Sequence, residues 1–145
     1  MNILKILTDR RLRGNLGERA AVRFLKRAGY RILEKNFTTE NSEIDIIAKD
    51  RETTVFVEVK TRSISAMSPN EPRPASSVTP EKQRKIISAS AGFMRKRRIK
   101  TRMRYDVIEV YLENVGGKDK VKEIRHLVNT FDLNSAYDKK FYHGN

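Results

Sequence analysis

Glu43 and Asp45 alternate with Ile44 and Ile46, and a short way along the chain Glu58 and Lys60 alternate with Val57 and Val59. Such alternation predicts two β-strands, Glu43–Ala48 and Thr54–Lys60, with Ile44 and Ile46 on one face of the first and its two acids on the other. The polar stretch Lys49–Glu52 between them makes the pair an antiparallel hairpin. A four-residue loop over Asp50–Thr53 then sets Asp45 opposite Glu58 and Glu43 opposite Lys60, with opposed Cβ atoms about 5 Å apart. Two ionised carboxylates at that separation repel each other. A divalent cation between them offsets the repulsion best, and Lys60 does so in part. Mg2+ is held in this way, by one or two carboxylates together with water and phosphate oxygens. An ordinary solvent-facing side of a two-faced sheet shows the same alternation. Phe56 and Ile47, however, share the faces of the acids and point to a half-buried cleft.

A third carboxylate lies on a helix. Leu16–Ala28 carries Leu16, Ala20, Ala21, Phe24, Leu25 and Ala28 on one broad sector, with Arg19, Arg23, Lys26 and Arg27 opposite. Glu18 projects between Leu25 and Val22, inside the apolar sector, where a carboxylate needs a partner. Asn15 with Glu18 three residues later also approximates a capping box, and a start nearer Thr8 or Asp9 is equally open. Gly29 ends the helix.

The remaining elements place these residues in one fold. Tyr30–Phe37 is expected to be a strand. Thr61–Val78 holds Pro69, Pro72 and Pro74 and reads as a long loop without regular structure. Thr79-Pro80-Glu81 is a helix start, with a Thr cap, Pro in the first turn and an acid beside it. That helix should run to about Met94 and bury Ile86, Ile87, Ser90, Phe93 and Met94. Met103–Leu112 and Val121–Val128 are expected strands around a Gly116-Gly117 turn, followed by a tail over 132–145. The result is a single α/β domain over 1–145, with its core at about 14–128 and a mixed central sheet flanked by helices. Tyr105 and Tyr111 suit core packing on their strand, and His126 and His143 are isolated.

Composition narrows the partners. The 145 residues carry 31 Lys and Arg against 18 Asp and Glu, a formal net charge of +13. A field of that size draws polyanions, above all nucleic acid, although a self-repelling soluble protein or a ribosome-associated one would look the same. With no cysteine, disulfides, thiolate zinc sites and Cys nucleophiles are excluded. No apolar run is long enough for a membrane span, and Met1–Leu7 is too short for a secretory leader. The expected location is the cytoplasm, with no membrane partner.

Gly17-Glu18, the run Ser42-Glu43-Ile44-Asp45-Ile46-Ile47-Ala48, and the run Val55-Phe56-Val57-Glu58-Val59-Lys60-Thr61-Arg62 together resemble the YraN family of bacterial proteins. Lys82–Ala91 and Arg104–Ile108 fit as well, so the resemblance spans about Gly14 to Val110. That family is similar to the PD-(D/E)XK nucleases, close to the archaeal Holliday-junction resolvases. The resemblance implies a restriction-endonuclease-like αβββαβ core. It implies Glu18, Asp45 and Glu58 as ligands of Mg2+ or Mn2+, with the Val59 carbonyl as a further ligand and Lys60 positioning the attacking water. The family usually has Gly where this chain has Ser42. The related resolvases are dimers, which makes a homodimer an option here.

Such a site would cleave phosphodiesters, since a metal lowers the pKa of bound water and clamps phosphate oxygens, and Lys60 would stabilise the developing charge. For nucleic-acid binding, DNA ahead of RNA, the candidates are Arg62, Gln83 and the dense group Arg95, Lys96, Arg97, Arg98, Lys100 and Arg102. That group also suits a helix C-terminus, which favours cations, and Gln83 also suits an exposed helix position. Three functions remain open: a nuclease, a nucleic-acid-binding accessory protein that keeps the fold without turnover, and an interaction protein of the ribosome or another complex.

Overall fold

In the computed structural model, which describes residues 2–64 and 78–132, the chain forms α1 (Ile3–Arg27), β1 (Arg31–Thr38), β2 (Glu43–Asp50), β3 (Thr53–Ser63), α2 (Pro80–Arg97), β4 (Arg102–Val115) and β5 (Lys118–Leu127). The five strands form one sheet in the order β1-β2-β3-β4-β5. β3 and β4 are parallel, with α2 as their crossover, and the other neighbours are antiparallel. This is the expected α/β domain with a mixed sheet, consistent with a restriction-endonuclease-like fold.

Both faces of the sheet are covered. On one, Ile44, Ile47, Phe56, Tyr105 and Val107 pack with Ile86, Ile87, Phe93 and Met94 of α2. On the other, Ile46, Ala48, Val55, Val57, Ile108, Val110 and Leu112 pack with Ala21 and Leu25 of α1. The hairpin is therefore the middle of an α/β/α sandwich. A half-wet antiparallel sheet would have left one side open. Tyr105 and Tyr111 are buried, as their alternation with Asp106 implies.

α2 forms as its sequence dictates. Thr79 caps it by accepting a hydrogen bond from the Lys82 N–H at 3.2 Å, and Ile86, Ile87, Ser90, Phe93 and Met94 are all buried. It runs one turn past Met94, and Arg98 closes it in the left-handed conformation at φ 54°. β4 and β5 likewise run a few residues beyond the apolar alternation, because their ladder continues to the Gly116-Gly117 turn. The hairpin turn is only Arg51-Glu52, yet Asp50 still pairs with Thr53 and the register is the expected one. β3 takes Thr61–Ser63 from the expected loop, because it keeps pairing with β4 as far as Leu112. The remainder of that loop over 65–77, and the tail over 133–145, lie outside the described residues.

The first helix departs most from expectation. It starts at Ile3, not Leu16, and its cap is Asn2, whose Oδ1 accepts the Leu4 N–H at 3.0 Å; Asn15 caps nothing. Gly14 and Gly17 each weaken a helix by about 1 kcal/mol, but a run without Gly or Pro precedes them and tertiary contact holds the turn at Gly17. A Cβ there would stand 1.9 Å from Thr61 Oγ1 and 3.0 Å from the Thr61 Cβ and Cγ2. Only glycine lets α1 lie this close to β3, and Glu18 is the next residue. Gly17→Ala should therefore destabilise the protein by about 1–3 kcal/mol, the cost of overpacking, despite alanine's better helix propensity. Urea unfolding would measure this, and Thr61→Ala in the same chain should recover part of the loss.

Candidate functional site

The β2–β3 ladder runs from the turn to the pair Ile46–Val57 and stops. One residue further along each strand stand Asp45 and Glu58. Asp45 Oδ2 accepts the Val59 N–H at 2.8 Å, so a side chain replaces the missing strand partner. Across β2, Lys35 pairs with Ile46 and Phe37 with Ile44. Asn36 between them takes a left-handed backbone at φ 52°. The expectation that Ile44 and Ile46 share a face fails here, because Ile44 joins the α2 core and Ile46 the α1 core. The regular alternation breaks at Asp45, which turns its carboxylate into the fork between the strands.

α1 brings Glu18 to the same fork. Glu18, Asp45 and Glu58 line one cleft of about 570 Å³ with Val59, Thr61, Arg62 and Ser63 of β3 and Arg10, Arg13 and Gly14 of α1. Glu58 is 7% exposed. It pairs tightly with Lys82 of α2, while Lys60 Nζ stands 4.0 Å from the same Glu58 Oε1. Sequence reasoning picked Lys60 and missed Lys82. The available signal was its place in the first turn of a helix that begins beside the acids. Gln83 is buried instead, and its Nε2 donates to the Val78 carbonyl at 2.8 Å. Ser42 sits in a turn, its carbonyl accepting the Thr39 N–H at 2.7 Å, without a positive φ.

The crowding of acids has an electrostatic signature. Burial, then the Glu58 and Glu18 charges, push the Asp45 carboxyl up to about 7, against the opposing Val59 N–H and Lys82. Glu18 is also raised, by burial first and then by Glu43 and Glu58, against a hydrogen bond from Asn36 and the charge of Lys35. Asp106 behaves in the opposite way. Burial pushes it up, but bonds from His126, Arg104 and the Asn129 N–H outweigh burial and hold it below the usual range. His126 Nε2 lies 2.8 Å from Asp106 Oδ2, so this histidine is a structural strand residue.

The donor set suits a hard divalent cation, with carboxylate oxygens that repel one another when ionised and Val59 lining the same cleft. Among the described residues, however, no group of three or more His, Cys, Asp or Glu is already gathered as a metal cluster. Glu58 is instead satisfied by the Lys82 ammonium.

The expected basic residues divide by position. Arg62 lines the acid cleft. Arg95, Lys96, Arg97 and Arg98 stand at the other end of α2, about 20 Å from Lys82 at 1.5 Å per residue. Arg97 there pairs with Glu34 at 2.9 Å and covers the Phe93 ring. Arg102 pairs with Thr53, five residues along β3 from Glu58 and thus about 16 Å away. Lys100 belongs to the same end. The cations near the acids are others: Arg10 and Arg13 in the acid cleft, and Arg19, Arg23, Lys26 and Lys35 in an adjoining cleft of about 650 Å³ that shares Glu18 and Asp45.

The model of the uncharacterised protein family UPF0102 matches residues 17–110, from the glycine under Thr61 into β4. The chain belongs to the UPF0102 family. It is 43% identical over 125 residues to a UPF0102 protein of Caldicellulosiruptor saccharolyticus, covering 85% of this chain and 99% of that one. A UPF0102 protein of Pelobacter propionicus is 41% identical over 128 residues, 86% of each chain. One from Desulfosudis oleivorans is 40% identical over 132 residues, 90% of this chain and 98% of that one. In this UPF0102 chain no helix among the described residues is long and apolar enough to cross a membrane.

The raised Asp45 pKa carries a pH dependence. An acid whose pKa is higher in the folded than in the unfolded chain stabilises the fold at low pH, and that contribution is lost as pH rises through the folded value. Metal-free protein should therefore lose stability between about pH 4 and pH 7 from this group. Asp45→Asn keeps an acceptor for the Val59 N–H and removes the charge. Thermal unfolding should show it melting about 4 °C above the parent chain at pH 8 and level with it at pH 4. Parallel profiles for the two proteins would refute the assignment.

Proposed function

We propose that the protein is a metal-dependent nuclease that hydrolyses phosphodiester bonds in nucleic acid, DNA ahead of RNA. The observation that carries this reading is the convergence of Glu18, Asp45 and Glu58, from a helix and two strands, on one cleft beside Lys60. Three acids held together against their mutual repulsion serve no purpose in stability, and groups perturbed in this way cluster at functional sites. Asp45, Glu58 and the Val59 carbonyl would hold Mg2+ or Mn2+, with Glu18 completing the shell. The ion, when bound, supplies an activated water and charge relief on phosphate.

The chain's own groups do the rest. The Val59 N–H fixes the Asp45 carboxylate. Lys60, part-exposed at 22% and 4.0 Å from Glu58 Oε1, has an ammonium that can turn to a phosphate oxygen or water beside the acids. Gly17 sets how far Glu18 stands from the strands.

A second reading, a nucleic-acid-binding accessory protein without turnover, draws on a different observation. Lys82 already neutralises Glu58, and no ligand cluster is assembled among the described residues. Both readings are tested by incubating the protein with labelled branched, single-stranded and duplex DNA and RNA in Mn2+. The nuclease reading expects cleavage that falls about 10²–10³-fold in Lys60→Ala, the loss typical of one transition-state donor. It also expects Mn2+ binding by calorimetry that disappears in Asp45→Ala. Mn2+ binding without cleavage supports the accessory reading, and equal cleavage by parent and Lys60→Ala identifies a contaminant.

A further inference from the structure

Among the described residues, the acid cleft itself carries a basic feature that the nuclease reading does not use. α1 continues N-terminally from Gly17 for 14 residues to Ile3, about 21 Å at 1.5 Å per residue. The sheet-facing stripe Gly17, Ala21 and Leu25 extends backward at helical spacing through Gly14 and Arg10. Arg10 and Arg13 reach the acid cleft from this overhang, and Arg62 reaches it from β3. Among the described residues none of these three guanidiniums pairs with a carboxylate, although three carboxylates line the same cleft. Unpaired arginines around a cleft floored by acids repel a lone cation at the rim and attract an anion there. A guanidinium offers its donors in the planar fork that fits phosphate oxygens.

We propose that the overhanging turns of α1 form a phosphate clamp: Arg10 and Arg13 on one wall and Arg62 on the other hold the backbone of a single nucleic-acid strand across the acids. This rests on the nuclease reading for its substrate class and adds the strand state and the residues that grip it. The size of the cleft selects the strand state. At about 570 Å³ it is on the scale of a small-ligand site. A cleft of that scale takes a short stretch of one extended strand, and a duplex would meet it only at its rim. Sequence is not read by such contacts, since phosphates carry none.

The experiment is fluorescence anisotropy of the full chain with a labelled single strand and with the matching blunt duplex. Ca2+ replaces Mg2+ so that no turnover intervenes, and a salt series is run for each variant. The clamp expects tighter binding of the single strand. It expects Arg10→Ala/Arg13→Ala to weaken binding about tenfold and to lower the salt slope by about 1.4, the release from two single-strand phosphate contacts. Arg10→Lys/Arg13→Lys should recover part of the slope. With a strand too short to span both ends of α2, Arg95→Ala/Arg98→Ala, at the far end, should change neither affinity nor slope. Circular dichroism melts show whether each variant is folded, and Arg10→Gln/Arg13→Gln replaces the alanine pair if that pair melts early. Unchanged affinity and slope in the folded double variant overturn the clamp, as does equal binding of the duplex, or loss that follows the Arg95 pair instead. Clamp-dependent binding with no Mn2+ cleavage upholds the clamp and overturns turnover; cleavage indifferent to Arg10 and Arg13 does the reverse.

Discussion

The hydrogen bond from the Val59 N–H to Asp45 is where the fold and the site become one object. A strand that leaves its partner exposes a backbone donor, and burial of an unpaired donor is costly. Asp45 satisfies it, and in doing so commits a carboxylate to the fork of the hairpin. Glu58, on the adjacent strand, is then held close by the register. Glu18 follows because α1 is locked against β3 through Gly17. The three acids are thus not independently placed. Their separation is set by a ladder that ends one residue before them and by a helix that can approach only where it lacks a side chain.

Such an arrangement stores electrostatic free energy that the surrounding contacts must offset. Two sandwich cores, one on each face of the sheet, supply the offset. Lys82 supplies the local part, neutralising Glu58 from the first turn of α2. That first turn is fixed by the Thr79 cap and by Gln83, whose buried amide bonds the Val78 carbonyl. A glutamine expected on the surface therefore works from inside, as a brace for its neighbour. The Asp106 cluster offers a contrast within the same sheet. There Arg104 and His126 fully compensate a buried acid, and its pKa falls. At the fork the compensation is incomplete, and the Asp45 pKa rises.

These differences explain which features were legible from residue order. Element order, hairpin register and the buried face of α2 follow from periodicities of 2 and 3.6 and from local capping, all of which are short-range. The meeting of Asp45 and Glu58 followed from register alone. The separation of Ile44 from Ile46 did not, because it depends on Asn36 of β1 in a left-handed conformation across the strand. The start of α1 was hidden for a similar reason. Gly14, Asn15 and Gly17 read as a helix boundary until Thr61, 44 positions beyond Gly17, shows why glycine is required inside the helix. Gln83 was offered for the site where Lys82 reaches the acids, although Gln83 stands three and four residues before the buried Ile86 and Ile87 and so on the same face.

Charge was the least legible quantity, since a total says nothing about direction. Behind the formal +13, the cations considered for binding among the described residues fall into two separate sets. The densest run, Arg95–Lys100, sits at the end of α2 remote from the acids, partly engaged with Glu34 and Phe93. The sparser set on α1 and β3 surrounds the acids themselves. With a Debye length of about 8 Å at physiological ionic strength, charges about 20 Å away contribute little to the potential inside the cleft. Any anion that reaches Asp45 is therefore attracted by the local set, and the distant run acts only on ligands long enough to span both. The acids and their nearest arginines consequently have to be understood as one electrostatic unit, negative at the floor and positive at the rim. A polyanion can approach such a unit only if its charge meets the rim before the floor.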